Sequence, residues 1–340
     1  MARWQHRPCG SNWGEFGADD QRGRMNLLTP ARRLAAVREV QAGEVFSLSL
    51  PLDYPGGSGL WDVRWPPQLS ATRFADGKPA YPHHVSAQLP RATDVICDDA
   101  VTLCLQYSTQ WDALAHCGAE FDADGDGVAE AVFYNGYRAG EHIRGPDSEG
   151  GPCARALGIE NLARAGVQGR GVLVDLYGTY GRTASKVGYE ALMRVMAAQH
   201  AEVEPGDFLC LYTGFADLVL EMQRQPDVAL LHKSCAALDG TDERLQRWVD
   251  SSGLVALCAD NAAVESTHLT LNGGSGERRP FLPLHELCLF KLGIHLAELW
   301  YFRELAAWLR AHARNRFLLT APPLDLPGAV GSPVTPLATV

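Results

Sequence analysis

The chain lacks a long hydrophobic run, a paired-cysteine motif, a basic stripe and an internal repeat, and each absence narrows what it can do. No apolar stretch in its 340 residues approaches the roughly 20 needed to span a bilayer, so no membrane partner is expected. The opening MARWQHRPCGSNWGEFG has basic residues with no apolar segment behind them, which argues against a secretory signal. Nine cysteines, at 9, 97, 104, 117, 153, 210, 235, 258 and 288, give no C-x-x-C pair and an odd total. Disulfide frameworks belong to small secreted domains, so these read as reduced thiols of a soluble, cytoplasmic protein. Lys and Arg number 30 against 40 Asp and Glu, a formal net charge of −10. An acidic surface without a local cationic stripe repels phosphate backbones, so nucleic acid is not an expected partner either.

What is present is a large supply of core. Hydrophobic residues make up 46% of the chain, enough for one large domain or two smaller ones. Thr29-Pro30 opens a capped helix with its exit at Gly43, and Glu44–Leu50 alternates as a strand does. The segment from Pro51 to Pro82 is rich in Gly, Pro and Trp and reads as a long irregular excursion. Further strands are expected at 100–107, 171–176, 207–213 and 254–258, and helices at 186–200, 241–251 and 302–315. The alternation predicts an α/β fold around a largely buried sheet. The Pro-rich tail APPLDLPGAVGSPVTPLATV has no periodicity, but its apolar content suggests that it is tied to the body.

The chemistry concentrates in Gln106-Tyr-Ser-Thr-Gln110-Trp-Asp112-Ala-Leu-Ala-His116. In extended chain Gln106, Ser108, Gln110 and Asp112 would share one face, with His116 able to turn back over it. A carboxylate and an imidazole on one short segment suit acyl-transfer chemistry. By spacing alone, D-x-x-x-H is a weak pattern, and a polar strand end with a satisfied Asp and His explains it at least as well.

The same segment resembles the H-x-G-T-H-x-D-x-P-x-H signature of the kynurenine formamidase and isatin hydrolase family. It is closer still to the S-T-Q-W-D-x-L-x-H form of that family's longer members, known as cyclases. Other stretches resemble those members in the same order: Ser11-Asn-Trp-Gly with Asp19-Asp20, Gly169 to Asp175, Pro205-Gly-Asp207, Asp260-Asn261 and Gly331-Ser-Pro-Val334. His285, Leu289, Gly293-Ile294 and Glu298 match the family's second ligand pair in its context. The resemblance implies metal ligands at Asp112, His285 and Glu298, with Gln106 and Gln110 at the first two His positions, and His116 as the catalytic histidine alongside Asp112.

It further implies a swivelling β/β/α-type fold with a central, partly barrel-like mixed sheet. A single domain would cover residues 1–340, with an N-terminal arm over 1–28 and a C-terminal tail over 321–340 packed on the body. The implied reaction is metal-dependent hydrolysis of a small cyclic amide, imide or lactone, or of a formamide-like bond, by a homodimer or larger assembly acting on a small-molecule substrate. Two Gln in place of two His remove nitrogen ligands. A Gln carbonyl serves Zn²⁺ poorly and Mn²⁺ tolerably, so the expectation is one divalent ion, Mn or Zn, with loss of the metal the other outcome. The alternative reaction is that of a biosynthetic cyclase, dehydratase or isomerase using the same pocket without metal-activated water.

Three smaller features complete the reading. Tyr134-Asn135-Gly-Tyr137 resembles a pocket-lining element of the longer members and is equally an ordinary Asn-Gly turn. With Trp111, Tyr134 and Asn135 are the candidate substrate contacts. Asp122-Ala-Asp124-Gly-Asp126-Gly127 opens like a calcium loop, but the glutamate that should close it is Phe133, so a solvated acidic turn is expected. His83-His84 are adjacent and point apart in extended chain, so they read as loop histidines rather than ligands.

Overall fold

The computed structural model describes residues 3–58, 60–267 and 279–340. Its centre is a strongly curled, nine-stranded mixed half-barrel within an α/β fold. In chain order the strands are β1 (Val45–Ser47), β2 (Gln110–Asp112), β3 (Gln168–Asp175), β4 (Phe208–Tyr212), β5 (Ala256–Ala259), β6 (His295–Glu298), β7 (Arg316–Thr320), β8 (Gly331–Pro333) and β9 (Leu337–Thr339). They lie side by side in the order β1-β9-β7-β3-β4-β5-β6-β2-β8. The middle four, β3 to β6, run parallel, and every other pairing is antiparallel.

The parallel strands are near-continuous apolar runs because both faces of the sheet are covered. Successive side chains go to opposite faces, and this splits the core in two. Val172, Val174, Leu209, Leu211, Leu257 and Leu296 pack in one layer with helices α1 (Tyr189–Ala198) and α2 (Glu243–Ser252). Leu173, Phe208, Cys210, Cys258, Ala297 and Trp111 pack in the other with helix α3 (Arg303–Ala311). No helix among the described residues is long and apolar enough to cross a membrane.

The helix capped by Thr29 ends at Val37, well before Gly43, and the strand expected over 44–50 is continuous only over β1, with Ser49 making an isolated bridge to Trp300. The strand expected over 100–107 stops at Thr102, where Asp99–Thr102 pairs with Gln68–Ala71 inside the excursion. That excursion runs past Pro82, because His83–His84 pairs with Val95–Ile96. The C-terminal tail enters the sheet. β9 is inserted between β1 and β7, and β8 forms the far edge beside β2.

The N-terminal arm lies on the body. Trp13 is fully buried and its indole N–H donates to the Phe290 carbonyl, while Asn12 donates to the Leu292 carbonyl. Gly23 and Gly293 meet backbone to backbone. A Cβ on Gly23 would fall 2.1 Å from the Gly293 carbonyl oxygen, so neither position has room for a side chain. Both have positive φ, which glycine adopts without strain.

Candidate metal centre

Strands β2 and β6 build the centre by register. Glu298 lies directly opposite Gln110, and Leu296 opposite Asp112. The two-residue period that sends Trp111 and Ala297 into one core layer sends Gln110, Asp112 and Glu298 to the other face. His285 arrives from the helical turn Pro283–His285, which continues as a π-helical segment over Glu286–Leu292 and ends at the left-handed Gly293. Asp112, His285 and Glu298 are all buried, and each offers a ligand atom within 4.8 Å of the others.

The surroundings suit a cation. Both carboxylate oxygens of Asp112 are buried without a hydrogen-bond partner, and so is the amide oxygen of Gln110. Leaving such acceptors dry and unpaired is costly, whereas a divalent ion would satisfy all three. The Gln110 amide N–H donates to Glu298 Oε2 at 2.8 Å, which leaves its oxygen free. Glu298 Oε1 lies 3.3 Å from His285 Nε2. Two carboxylates and one imidazole are a donor set that could hold a divalent ion.

His285 is oriented from behind by Glu265, a residue that no sequence motif marks. Glu265 Oε1 lies 3.0 Å from His285 Nδ1, and its carboxylate also accepts the backbone N–H groups of Leu284 and His285. It thereby caps the helical turn and fixes the ring, as carboxylates behind metal-ligating histidines do. Burial works to lower the His285 pKa, but hydrogen bonds to Glu265 and Glu298 prevail and raise it to about 10. Burial and the Asp112 carboxylate push Glu298 up. The metal-free centre therefore holds a proton on His285.

His116 stands beside this group, with Nε2 at 3.9 Å from Asp112 Oδ1 and a quarter of its side chain exposed. Burial lowers its pKa, against the pull of Asp112, so the ring is neutral at pH 7 and can accept a proton. A histidine that the sequence analysis did not single out, His295, is fully buried. Its Nδ1–H donates to the Asp112 carbonyl at 3.0 Å, its Nε2 has no partner, and burial depresses its pKa to about 4. A folded-state pKa below the ordinary 6.5 means that His295 contributes stability above pH 6.5 and loses it as pH falls towards 4. The loss is about 3 kcal/mol. Urea melts between pH 7 and 4 should show this slope, and His295→Gln should flatten it.

Several expected site residues lie elsewhere. The chain turns between β2 and Thr102, so Gln106 and Ser108 do not share a face with Gln110 and Asp112. Ser108 donates to the Pro51 carbonyl, and the Gln106 amide lies against His116 instead of in the ligand group. Trp111 has no exposed surface. It packs edge-on against Trp300 and donates to the Ala321 carbonyl on the opposite side of β2, so its ring is core and does not face the centre. Tyr134 is buried against the Gly23–Gly293 contact. The Asn135 amide accepts from Gly14 N–H and donates to the carbonyls of Gly17, Ala18 and Asp20, so it anchors the N-terminal arm.

Asp122, Asp124 and Asp126 do cluster, but Asp122 and Asp126 cap backbone N–H groups of their own turn and Arg138 lies 3.6 Å from Asp124. A cavity of about 270 Å³, lined by Trp61, Phe215, Leu231, Asn261 and Glu265, touches none of Asp112, His285 and Glu298.

Comparison with known proteins agrees with this construction. Residues 46–266 match the family described as "Putative cyclase". A crystal structure described as a novel cyclase is 32% identical, with 97% of each chain covered and a TM-score of 0.74. Isatin hydrolase A from Labrenzia aggregata, bound to benzyl benzoate, is 12% identical over 92% of this chain and 99% of its own, with a TM-score of 0.55. Isatin hydrolase A from Ralstonia solanacearum is 13% identical over 91% of this chain and 97% of its own, at 0.54. At those identities the isatin hydrolases share the fold. No curated protein matches.

Proposed function

Because the chain belongs to this cyclase family, we propose that it is a metal-dependent hydrolase. It would open a small cyclic amide, imide or lactone, or cleave a formamide-like bond, on the swivelling β/β/α framework of its relatives. The observation that carries the reading is the buried convergence of Asp112, His285 and Glu298 around Asp112 oxygens that nothing else satisfies. One divalent ion, Mn²⁺ before Zn²⁺, would be held by these three residues with the Gln110 amide oxygen. The chemistry such an ion supplies is polarisation of a carbonyl and acidification of water.

The chain's own residues do the rest. Glu265 holds His285 in one ring orientation, and the Gln110 N–H holds Glu298. His116, neutral and facing Asp112, accepts a proton at Nε2 from the attacking oxygen and returns it to the leaving nitrogen or oxygen. Burial of Asp112 and Glu298 strengthens their electrostatic effect on the reacting groups. A second reading, cyclisation or dehydration by His116 and Asp112 alone, draws on protonated His285, which already balances the buried carboxylates.

Oxygen-18 labelling separates the two. Small lactams, imides, lactones and N-formyl aromatics are incubated in labelled water with and without chelator. Metal-dependent entry of label into a product carboxylate supports hydrolysis, and turnover with neither label nor metal requirement supports the second reading.

We also propose a homodimer. The excursion leaves Val63, Trp65, Leu69, Phe74, Tyr81 and Leu89 exposed, apolar side chains that a second copy would cover. Sedimentation at micromolar concentration should give twice the 36.9 kDa chain mass, and a sole monomer would refute it.

A further inference from the structure

Gln106 occupies a position where the family pattern has a metal ligand, yet its amide Nε2 lies 3.3 Å from His116 Nδ1. Two independent features hold it there. The guanidinium of Arg64, from the excursion, donates to the Gln106 carbonyl at 2.6 Å and fixes its backbone. Beneath the side chain lies Gly331 of β8, where an added Cβ would fall 2.4 Å from Gln106 Nε2 and 2.7 Å from its amide carbon. The amide is thus seated on a bare backbone position, facing the ring nitrogen of His116 that points away from Asp112.

We infer that Gln106 is the positioning residue of His116 and not a ligand of the metal. The inference rests on the reading of His116 as the proton carrier. A proton carrier working at Nε2 must start with that nitrogen bare, so the ring keeps its proton on Nδ1 throughout the cycle and needs an acceptor there. The Gln106 amide supplies it, since half a turn about its last bond exchanges Nε2 and Oε1. When His116 Nε2 takes the proton of the attacking O–H, Nδ1–H donates to Gln106 Oε1. When Nε2 releases that proton to the leaving atom, the ring is neutral again and keeps its orientation. Gln106 gains and loses no proton in the cycle. A neutral partner also adds no charge beside Asp112 and Glu298, which a carboxylate at this position would do.

The test uses two readouts that need no turnover, so it stands apart from the proposed reaction. Calorimetric titration with Mn²⁺ should give Gln106→Leu an affinity within about fivefold of the unaltered protein, whereas Glu298→Gln should lose about 100-fold or more. Nitrogen-15 spectra of the histidine rings, with His116 assigned by its loss in His116→Asn, read the tautomer in the metal-free protein. Gln106→Glu, of the same shape but able only to accept, should fix His116 with Nδ1 protonated. Gln106→Leu should populate both tautomers. Gly331→Ala, which drives a methyl into the amide, should reproduce the Gln106→Leu spectrum. A more than fivefold loss of Mn²⁺ affinity in Gln106→Leu, or a His116 spectrum identical in all the Gln106 variants, would overturn the inference. Gln106→Glu keeps the shape of the side chain and decides the tautomer should a smaller variant fail to fold.

Discussion

Glu298→Gln and Asp112→Asn are each expected to weaken Mn²⁺ binding by about two orders of magnitude or more while leaving the fold intact. Each removes one of the two carboxylate charges that a divalent ion needs at a buried centre. Neither should greatly destabilise the metal-free protein. Glu298 is pushed towards its neutral form by burial and Asp112, and Asp112 has no hydrogen-bond partner to lose. Glu298→Gln relieves repulsion with Asp112 but also weakens the hold on protonated His285, so little net change in thermal stability without metal is the expected companion result. Affinity should also depend on pH in a definite direction. His285 carries a proton in the metal-free centre up to pH about 10, and a ligating imidazole must be neutral. Binding therefore releases a proton, and affinity should rise with pH, by about tenfold per unit where only His285 titrates. Calorimetry in buffers of different ionisation enthalpy reads that proton directly. Affinity independent of pH between 6 and 8 would contradict the protonated His285.

His116→Ala is expected to lower turnover by roughly 10²–10⁴-fold, the usual cost of losing a general acid and base, with Mn²⁺ affinity nearly unchanged. The ring is near enough to Asp112 to serve a reacting atom held there, and its Nε2 lies 3.9 Å from Asp112 Oδ1, beyond a coordinate bond. It is also a quarter exposed, so its removal opens space without collapsing a core. A variant that kept full activity would remove His116 from the chemistry. One that lost metal and activity together would make it a ligand.

How far the sequence told this in advance differed by element, for physical reasons. The parallel strands β3, β4 and β5 were legible because their burial on both faces writes unbroken apolar runs such as GVLVDL and DFLCLYT. Strands β2 and β6 were not, since QWD and HLAE are short and their polar residues face the centre. Their pairing, Glu298 against Gln110, is a long-range register that no local pattern records. Asp112, His285 and Glu298 were found through motif resemblance, and the fold brings them together across the sheet. Glu265 was invisible because a carboxylate behind a histidine has no fixed spacing from it. Trp111 was misread for a simple reason: it stands between Gln110 and Asp112, so the alternation that turns them inward to the centre turns it away. Gln106 was placed on the strand face because the sequence does not mark the turn before β2 that carries it to His116.

The most direct test is a crystal structure of the protein soaked in Mn²⁺, with anomalous differences recorded at the manganese edge. A single peak within about 2.5 Å of Asp112, His285 Nε2 and Glu298, with Gln106 still on His116, is the expected result. No peak among these residues at a saturating concentration, or two peaks bridged by Asp112, would contradict a mononuclear metal centre.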